Sequence, residues 1–481
     1  MKPTKPVLSR MCCACSSAQG IFNVRCYGAT GDGHTDDLGA ILAARDAVNA
    51  VGGGVLFFPR GNFVVGNTIE LGAGTTVLGL GSGSVLQAKP GVAGFNMLLV
   101  RNSDDVRVRD LVLDGNRANT SPPADADNEN IGCGFLGQPV GEGQTGLSIQ
   151  NVIGRNHHGS GIRITGPNNS DDVYELNANE VEVIGCQILG CGNRGIILTR
   201  ATRARIAGNV ITCCTQAGIQ LVKSRAAVID GNVIQKTVQR PGTRGGHGIA
   251  AANSFDYVIV NNVASENERW GIVASGGVGI FPPQHPMSQR YVVANNVCRA
   301  NATGGITIDP TLPEDHLDHD QIQDSFATVA SNVCVANGGA GIRTGHAGYL
   351  AVSGNICDGN EDAGIAIVSS RYAGVANNVL TGNSYGVGFW PGTGKDVGHH
   401  LLGGNVYDKN SVGEIQIADG HPAIRQLQDR WPSGGAGGMN LPVKPTGGDP
   451  ATPVEGLLYL NHVDKKLAVY ADGAWRTLTS W

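Results

Sequence analysis

No apolar run in this 481-residue chain approaches the roughly 20 residues needed to cross a bilayer, so no membrane span is expected. Positive charge is also in short supply. Against 40 Asp and Glu there are only 35 Lys and Arg, giving a formal net charge of -5 with no basic stripe, and nucleic acid is not an expected partner. Residues 1–20 carry Lys2, Lys5 and Arg10 but no continuous apolar segment of the kind that marks a secretory signal. An extracellular site would then be reached by another route, for instance as part of a virion. Among the 12 cysteines, the Cys12, Cys13 and Cys15 cluster is followed by no second pair at zinc-like spacing, so no metal is assigned to it. The 72 glycines lack a three-residue period, which excludes a collagen-like chain.

What is present is a repeat. Asn209, Asn232, Asn262, Asn296, Asn332, Asn355, Asn378 and Asn405 each precede a short apolar segment. A Gly-apolar step recurs at Gly161, Gly195, Gly218, Gly248, Gly271, Gly305, Gly341, Gly364 and Gly386. The tightest intervals, such as Asn332 to Asn355, are about 23 residues, a solenoid period. Two residues beyond the Asn stand Ile211, Ile234, Ala264, Cys298, Cys334, Cys357 and Leu380, one inward strand position per turn. The cysteines in that column read as a buried stack of small hydrophobes. Cys186, Cys191, Cys213 and Cys214 fall near corners, where disulfide and free thiol both remain open. A second Asn column, including Asn267, Asn301, Asn337, Asn360 and Asn383, fits a second tight corner. Gly, Asn, Val and Ile dominate and no 3.6-residue stripe persists, so the expected fold is an all-β, right-handed parallel β-helix.

Residues 21–430 are assigned to this helix, 431–438 to a Gly-rich linker and 439–481 to a small C-terminal β module. A capping helix is expected after Thr35, Asp36 and Asp37, with Leu38, Ile41, Leu42, Ala44 and Val48 on its apolar face. Asp32, Asp36 and Asp37 are read as turn and cap residues rather than a calcium loop. The C-terminal module has strand-forming segments around Leu458 and Val469 but too few residues for its own core. Self-association, as a homotrimer aligned along the helix axis, is the expectation.

Four insertions, 117–145, 236–247, 276–290 and 309–325, interrupt the short repeats and should wall a groove beside the Gly-apolar strands. The densest polar group is Asp309, Asp315, His316, Asp318 and Asp320, with Glu268 on a neighbouring coil. Glycoside hydrolysis needs a carboxylate pair, and a lyase needs a base beside a uronate plus a cation for the enolate. The acidic run can supply either, or bind Ca²⁺. It can equally be a solvated loop, save that Asp309 ends a core strand and should be held by the scaffold. Arg163, Arg200, Lys223, His247, Arg269, His285 and His346 are candidate contacts for an anionic glycan. Trp270 fits either a sugar-stacking platform or a cover over the core.

The stretch Val24-Arg25-Cys26-Tyr27-Gly28-Ala29-Thr30-Gly31-Asp32-Gly33-His34-Thr35-Asp36-Asp37, with Gly52-Gly53-Gly54-Val55 and Pro59-Arg60-Gly61, resembles the N-terminal signature of the pectate-lyase-like superfamily. Polygalacturonases, polysaccharide lyases, mannuronan C5-epimerases and phage tailspike depolymerases belong to that group. The resemblance implies a β-helix that cleaves a polysaccharide, by lyase or hydrolase chemistry. Epimerisation and non-catalytic glycan binding by an appendage are the alternatives. Gly246-His247-Gly248 is similar to a polygalacturonase motif, but Gln216 and Asn193 stand on the coils where that family places acids. The coil Gly159-Ser160-Gly161-Ile162-Arg163 likewise lacks the acid of the epimerase motif, so neither mechanism is carried over residue by residue.

Overall fold

The computed structural model describes residues 19–125, 128–138, 143–165, 178–243, 245–275, 288–309, 323–390 and 397–418, together with short strands within 424–480. The chain winds as a right-handed coil of parallel strands. Sheet A has 15 strands, sheet B 14 and sheet C 13, each adding one strand per turn in sequence order. The first Asn column, from Asn209 to Asn405, sits at the corner between sheets A and B. The Gly-apolar steps lead into sheet C, for example at Ile162–Thr165, Ile196–Thr199 and Ala217–Val222.

The corner asparagines hold the coils in register. Asn209, Asn232, Asn262, Asn296, Asn332, Asn355, Asn378 and Asn405 are all fully buried. From Asn232 onward each side-chain oxygen accepts from the backbone N–H and the amide of the Asn one coil earlier, as Asn262 N and Nδ2 both donate to Asn296 Oδ1 at 3.0 Å; Asn209 Oδ1 accepts from Cys186 N. Each amide also donates to a carbonyl of the preceding coil, as Asn296 Nδ2 does to Ile259 at 2.9 Å. The second file, from Asn267 through Asn301, Asn337, Asn360 and Asn383 to Asn410, repeats the pattern at the other end of sheet B. Asn suits both places, because a buried turn must satisfy its backbone groups and no water reaches them.

Inside, columns of like side chains stack. Cys298, Cys334 and Cys357 lie opposite one another on successive strands of sheet B, buried and with free thiols. Cys186, Cys191, Cys213 and Cys214 are also free thiols, which closes the disulfide alternative for them. The N-terminal end of the coil is covered by helix α1 (Leu38–Ala50), which buries Ile41, Ala44 and Val48. Of the two acids read as cap residues, Asp36 takes the role. Asp36 Oδ1 accepts from Leu38 N at 3.1 Å, whereas Asp37 turns back and accepts from Thr30 N and Gly31 N. Asp32 accepts from His34 N and Thr35 N, which holds its carboxyl well below the usual range. No helix among the described residues is long and apolar enough to cross a membrane. At the C-terminal end, Ile424–Gln426 still pairs with sheet A, and Val443–Lys444, Leu458–Asn461, Lys466–Ala471 and Ala474–Ser480 form a separate four-stranded sheet.

Asn296→Ala would remove the Asn296 partner of the Asn262 N–H and of the Ile259 carbonyl, and one of the acceptors of the Asn262 amide. A loss of about 2–5 kcal/mol is expected on the scale of buried unsatisfied groups, against under about 0.5 kcal/mol for the exposed Arg299→Ala. Chemical denaturation of the two variants checks this; equal losses would refute the ladder's role.

Candidate functional site

Sheet C presents its outward side chains in register. One column runs from Arg163 through Ile197, Gln220, Ala250, Val273 and Thr307 to Arg343. Its middle is apolar: Ala250, Val273 and Trp270 pack together and are nearly fully buried. The Trp270 ring lies against the Gly304 backbone, so closely that a Cβ there would sit 2.2 Å from it. Trp270 therefore covers the sheet, and its ring is not an open stacking platform. His247, one coil earlier, is buried as well, while Arg269 is half-buried and Glu268 exposed. The Glu268 carboxylate accepts from Gln239 N in the 236–247 insertion.

Polar chemistry gathers at the two ends of this face, six coils apart, or about 29 Å at the usual strand spacing. Towards the N-terminal end, the 117–145 insertion folds back so that Glu129 meets Arg163 and Arg194. Arg194 Nη1 stands 2.6 Å from Glu129 Oε1, and Arg163 Nη1 stands 3.2 Å from Oε2. Arg163 Nε also donates to Asn130 Oδ1 at 2.6 Å, and Arg194 Nε donates to Gln220. Burial alone would raise the Glu129 carboxyl, but Arg194 and Arg163 outweigh it and hold its pKa below the ordinary value.

Beside this ion cluster opens a pocket of about 250 Å³, lined by Arg117, Glu129, His158, Asn193 and Arg240 with Pro122, Pro123 and Ile131. Among the described lining residues two guanidinium groups, Arg117 and Arg240, face one carboxylate, Glu129, which Arg163 and Arg194 already pair, so the pocket favours an anion. His158 Nε2 lies 3.0 Å from the Thr120 hydroxyl. Burial, followed by the nearby Arg117, lowers its pKa. A neutral imidazole at neutral pH can accept a proton. The preceding His157 points inward, with Nε2 3.0 Å from the Leu113 carbonyl, and burial drives its pKa down to about 4.

At the other end stands Asp309, the last residue of the strand Gly304–Asp309, with no exposed surface. Its carboxylate pairs with Arg343 Nη1 and lies 3.7 Å from His346 Nδ1. Burial pushes the carboxyl up, but His346 and Arg343 prevail and lower it. Asp309 is thus locked in a charge-compensated cluster with the predicted His346 and with Arg343. Arg200, Lys223 and His346 occupy one corner file just past sheet C, all with positive φ. Lys223 is buried there and Arg200 half-buried. His285, Asp315, His316, Asp318 and Asp320 lie outside the described residues. Among the described residues, no three His, Cys, Asp or Glu side chains stand close enough to hold a metal. Apart from Asp309, the acidic run read as a Ca²⁺ candidate falls outside them.

Of the predicted contacts, then, none lines the pocket, and only Arg163 pairs with a residue that does, Glu129. Arg117, Glu129, His158, Arg194 and Arg240 were not singled out from the sequence. The 117–145 insertion was visible as a loop, but nothing in its sequence says that Glu129 folds back across two coils.

A model of the family described as "Rhamnogalacturonase A/epimerase, pectate lyase-like" matches residues 21–307, which include most of the pocket face. Mannuronan C5-epimerase AlgE1 of Azotobacter vinelandii is 39% identical over 121 residues, 22% of this chain and 8% of its own length. Alginate lyase 7 of the same organism is 33% identical over 117 residues, 22% of this chain and 14% of its length. The chain therefore spans a minor part of these relatives. Among solved structures, the AlgE6 A-module of Azotobacter vinelandii superposes with a TM-score of 0.61 at 19% identity, covering 86% of this chain and all of that one. At that identity the likeness concerns the fold.

His157 gives the region a pH signature. Its folded pKa of about 4 lies below the ordinary 6.5, so protonation favours the unfolded chain. Its contribution is whole above pH 6.5 and is lost as pH falls towards 4, about 3 kcal/mol in all. Urea unfolding between those limits should show a shallower pH slope in His157→Asn than in the wild type. Identical slopes would contradict a buried neutral imidazole.

Proposed function

The chain belongs to the rhamnogalacturonase A/epimerase, pectate lyase-like family, and we propose that it acts on an acidic polysaccharide laid along the outer face of sheet C. The observation that carries this reading is the pocket of Arg117, Arg240, Glu129 and His158. A sugar carboxylate enters it and is neutralised by the excess of guanidinium charge. Neutralisation acidifies the C–H beside the carboxylate, and His158 takes that proton as general base. The resulting enolate is held by the same arginines. From there, expulsion of the neighbouring glycosidic oxygen gives a lyase, and return of a proton to the opposite face gives an epimerase. The relatives named for mannuronan C5-epimerisation and for alginate lysis support a shared first step of this kind. Glu129 serves as a positioning residue, held at the pocket wall by its pairs with Arg163 and Arg194. An extracellular or virion-borne location follows from this reading, because polymers of this class are met outside the cell.

A second reading, glycan binding without turnover, is favoured by one observation. Asp309, the acid that ends the sheet C strand Gly304–Asp309, is fully buried and committed to Arg343 and His346.

Incubation with a panel of polyuronates and neutral glycans separates these readings. Absorbance in the enone band reports a lyase. Solvent deuterium entering the polymer without cleavage reports an epimerase. New reducing ends without enone report a hydrolase and remove the proton-abstraction scheme. Binding without any of these selects the adhesin. With turnover in hand, His158→Ala is expected to lower kcat by about 100-fold or more. Arg240→Ala should chiefly raise KM for the anionic polymer. The base works unprotonated and its pKa is lowered, so kcat/KM should fall on an acid limb centred below pH 6.5. A limb above that value, or an unimpaired His158→Ala, overturns the assignment.

A further inference from the structure

The face opposite to this chemistry carries its own pattern. From the coil of Val228 to that of Leu401, the outward positions of sheet A are apolar or small over seven consecutive coils. The first column reads Val228, Val258, Val292, Thr328, Ala351 and Gly374, ending at Leu401. The second, from Asp230 to Gly403, holds one charge, Asp230 itself. Across the Asn corner, the first outward column of sheet B is β-branched throughout, from Val233 to Val406. On earlier coils the same first column of sheet A carries Arg107, Ser148, Glu182 and Arg205, so the pattern does not follow from the fold.

The last four coils give this face relief. Its floor is small: Ala330, Ser353, Ala376 and Gly403. On one side rises a ridge of Val333, Ile356, Val379 and Val406. On the other stands a wall of stacked rings. Phe326, Tyr349, Tyr372 and His399 follow one another at centroid separations of 4.9, 5.0 and 5.3 Å. Phe326 is 51% exposed and Tyr349 and Tyr372 are each 43% exposed, as Ile356 is to 42%. Because the rings are stacked along the helix axis, Tyr349 and Tyr372 have both faces occupied and Phe326 and His399 one each, and the edges look outward. A sugar, which stacks on ring faces, is poorly served by such a wall.

We propose that this face binds a second copy of the same chain in a two-fold arrangement. Ridge and trough lie side by side on one surface, so a two-fold axis seats the ridge of each copy in the trough of the other. The dimensions agree. Seven coils span about 34 Å and three outward columns about 20 Å, or about 700 Å² per copy, close to the roughly 800 Å² per partner of a stable interface. An uncovered apolar face of this size is unusual on a monomer. The copies then lie with their sheet C faces pointing away from each other, leaving both pockets open.

Sedimentation velocity of the full chain at micromolar concentration tests this. A species of twice the 49.8 kDa chain mass is expected. The double variant Ile356→Lys/Val379→Lys should associate at least about 100-fold more weakly and sediment as a single chain with an unchanged circular dichroism spectrum. Ala351→Glu is the second variant; the same column already carries Glu182, so a charge is compatible with the coil, and it too should sediment as a single chain. A wild-type species of one chain mass overturns the proposal, as does a two-chain species that survives either folded variant. A three-chain species overturns the two-fold arrangement.

Discussion

The buried amide of the corner asparagine is the interaction on which this molecule depends. A parallel β-helix must turn its backbone sharply between sheets A and B on every coil, and each turn leaves N–H and C=O groups out of reach of both water and strand partners. The Asn side chain answers both needs, since its oxygen takes the stray N–H and its amide the stray carbonyl. The file of these residues fixes the rotational register of one coil upon the next. Strand pairing alone would not do so, because flat, similar strands slip easily. Once register is fixed, like residues fall into columns, and the cysteine stack, the sheet C face and the aromatic wall all follow from that alignment.

This explains why the fold was legible in the sequence and the site only partly so. A repeated position such as Asn332 or Ile234 reports itself many times, and the corner and core columns could be read before any coordinates. Asp309 was also placed correctly as the end of a scaffold strand. Its burial and its pairing with Arg343 were not visible, because they depend on a residue one coil and 34 positions later. Glu129 and Arg240 sit in insertions that occur once each. An insertion has no period to betray where it returns, so its contacts with Arg194 and His158 emerge only in three dimensions. Trp270 illustrates the remaining ambiguity: sequence offered a platform or a cover, and the missing side chain at Gly304 on the next coil decides for the cover.

The division of labour across the three sheets has a physical logic. Sheet C receives the 117–145 and 236–247 insertions, which carry Glu129 and Arg240, and its strands hold the ends of a long face rigidly apart. Residues presented by successive strands are spaced at just under 5 Å per coil, so a polymer lying along the axis meets a regularly ruled surface. The loops supply what the ruling cannot, a concave pocket with opposed charges. Precision comes from the coil and chemistry from the interruptions.

The hydrogen bonds of the asparagine file all run the same way, with each oxygen accepting from the coil before it. The file therefore has polarity, like a row of magnets laid head to tail. A coil can be added or deleted inside the row without disturbing either end, provided the newcomer brings its own Asn and about 23 residues of backbone. The length of the sheet C face is thus open to change by duplication in whole-coil steps, while the pocket and the helical cap stay as they are.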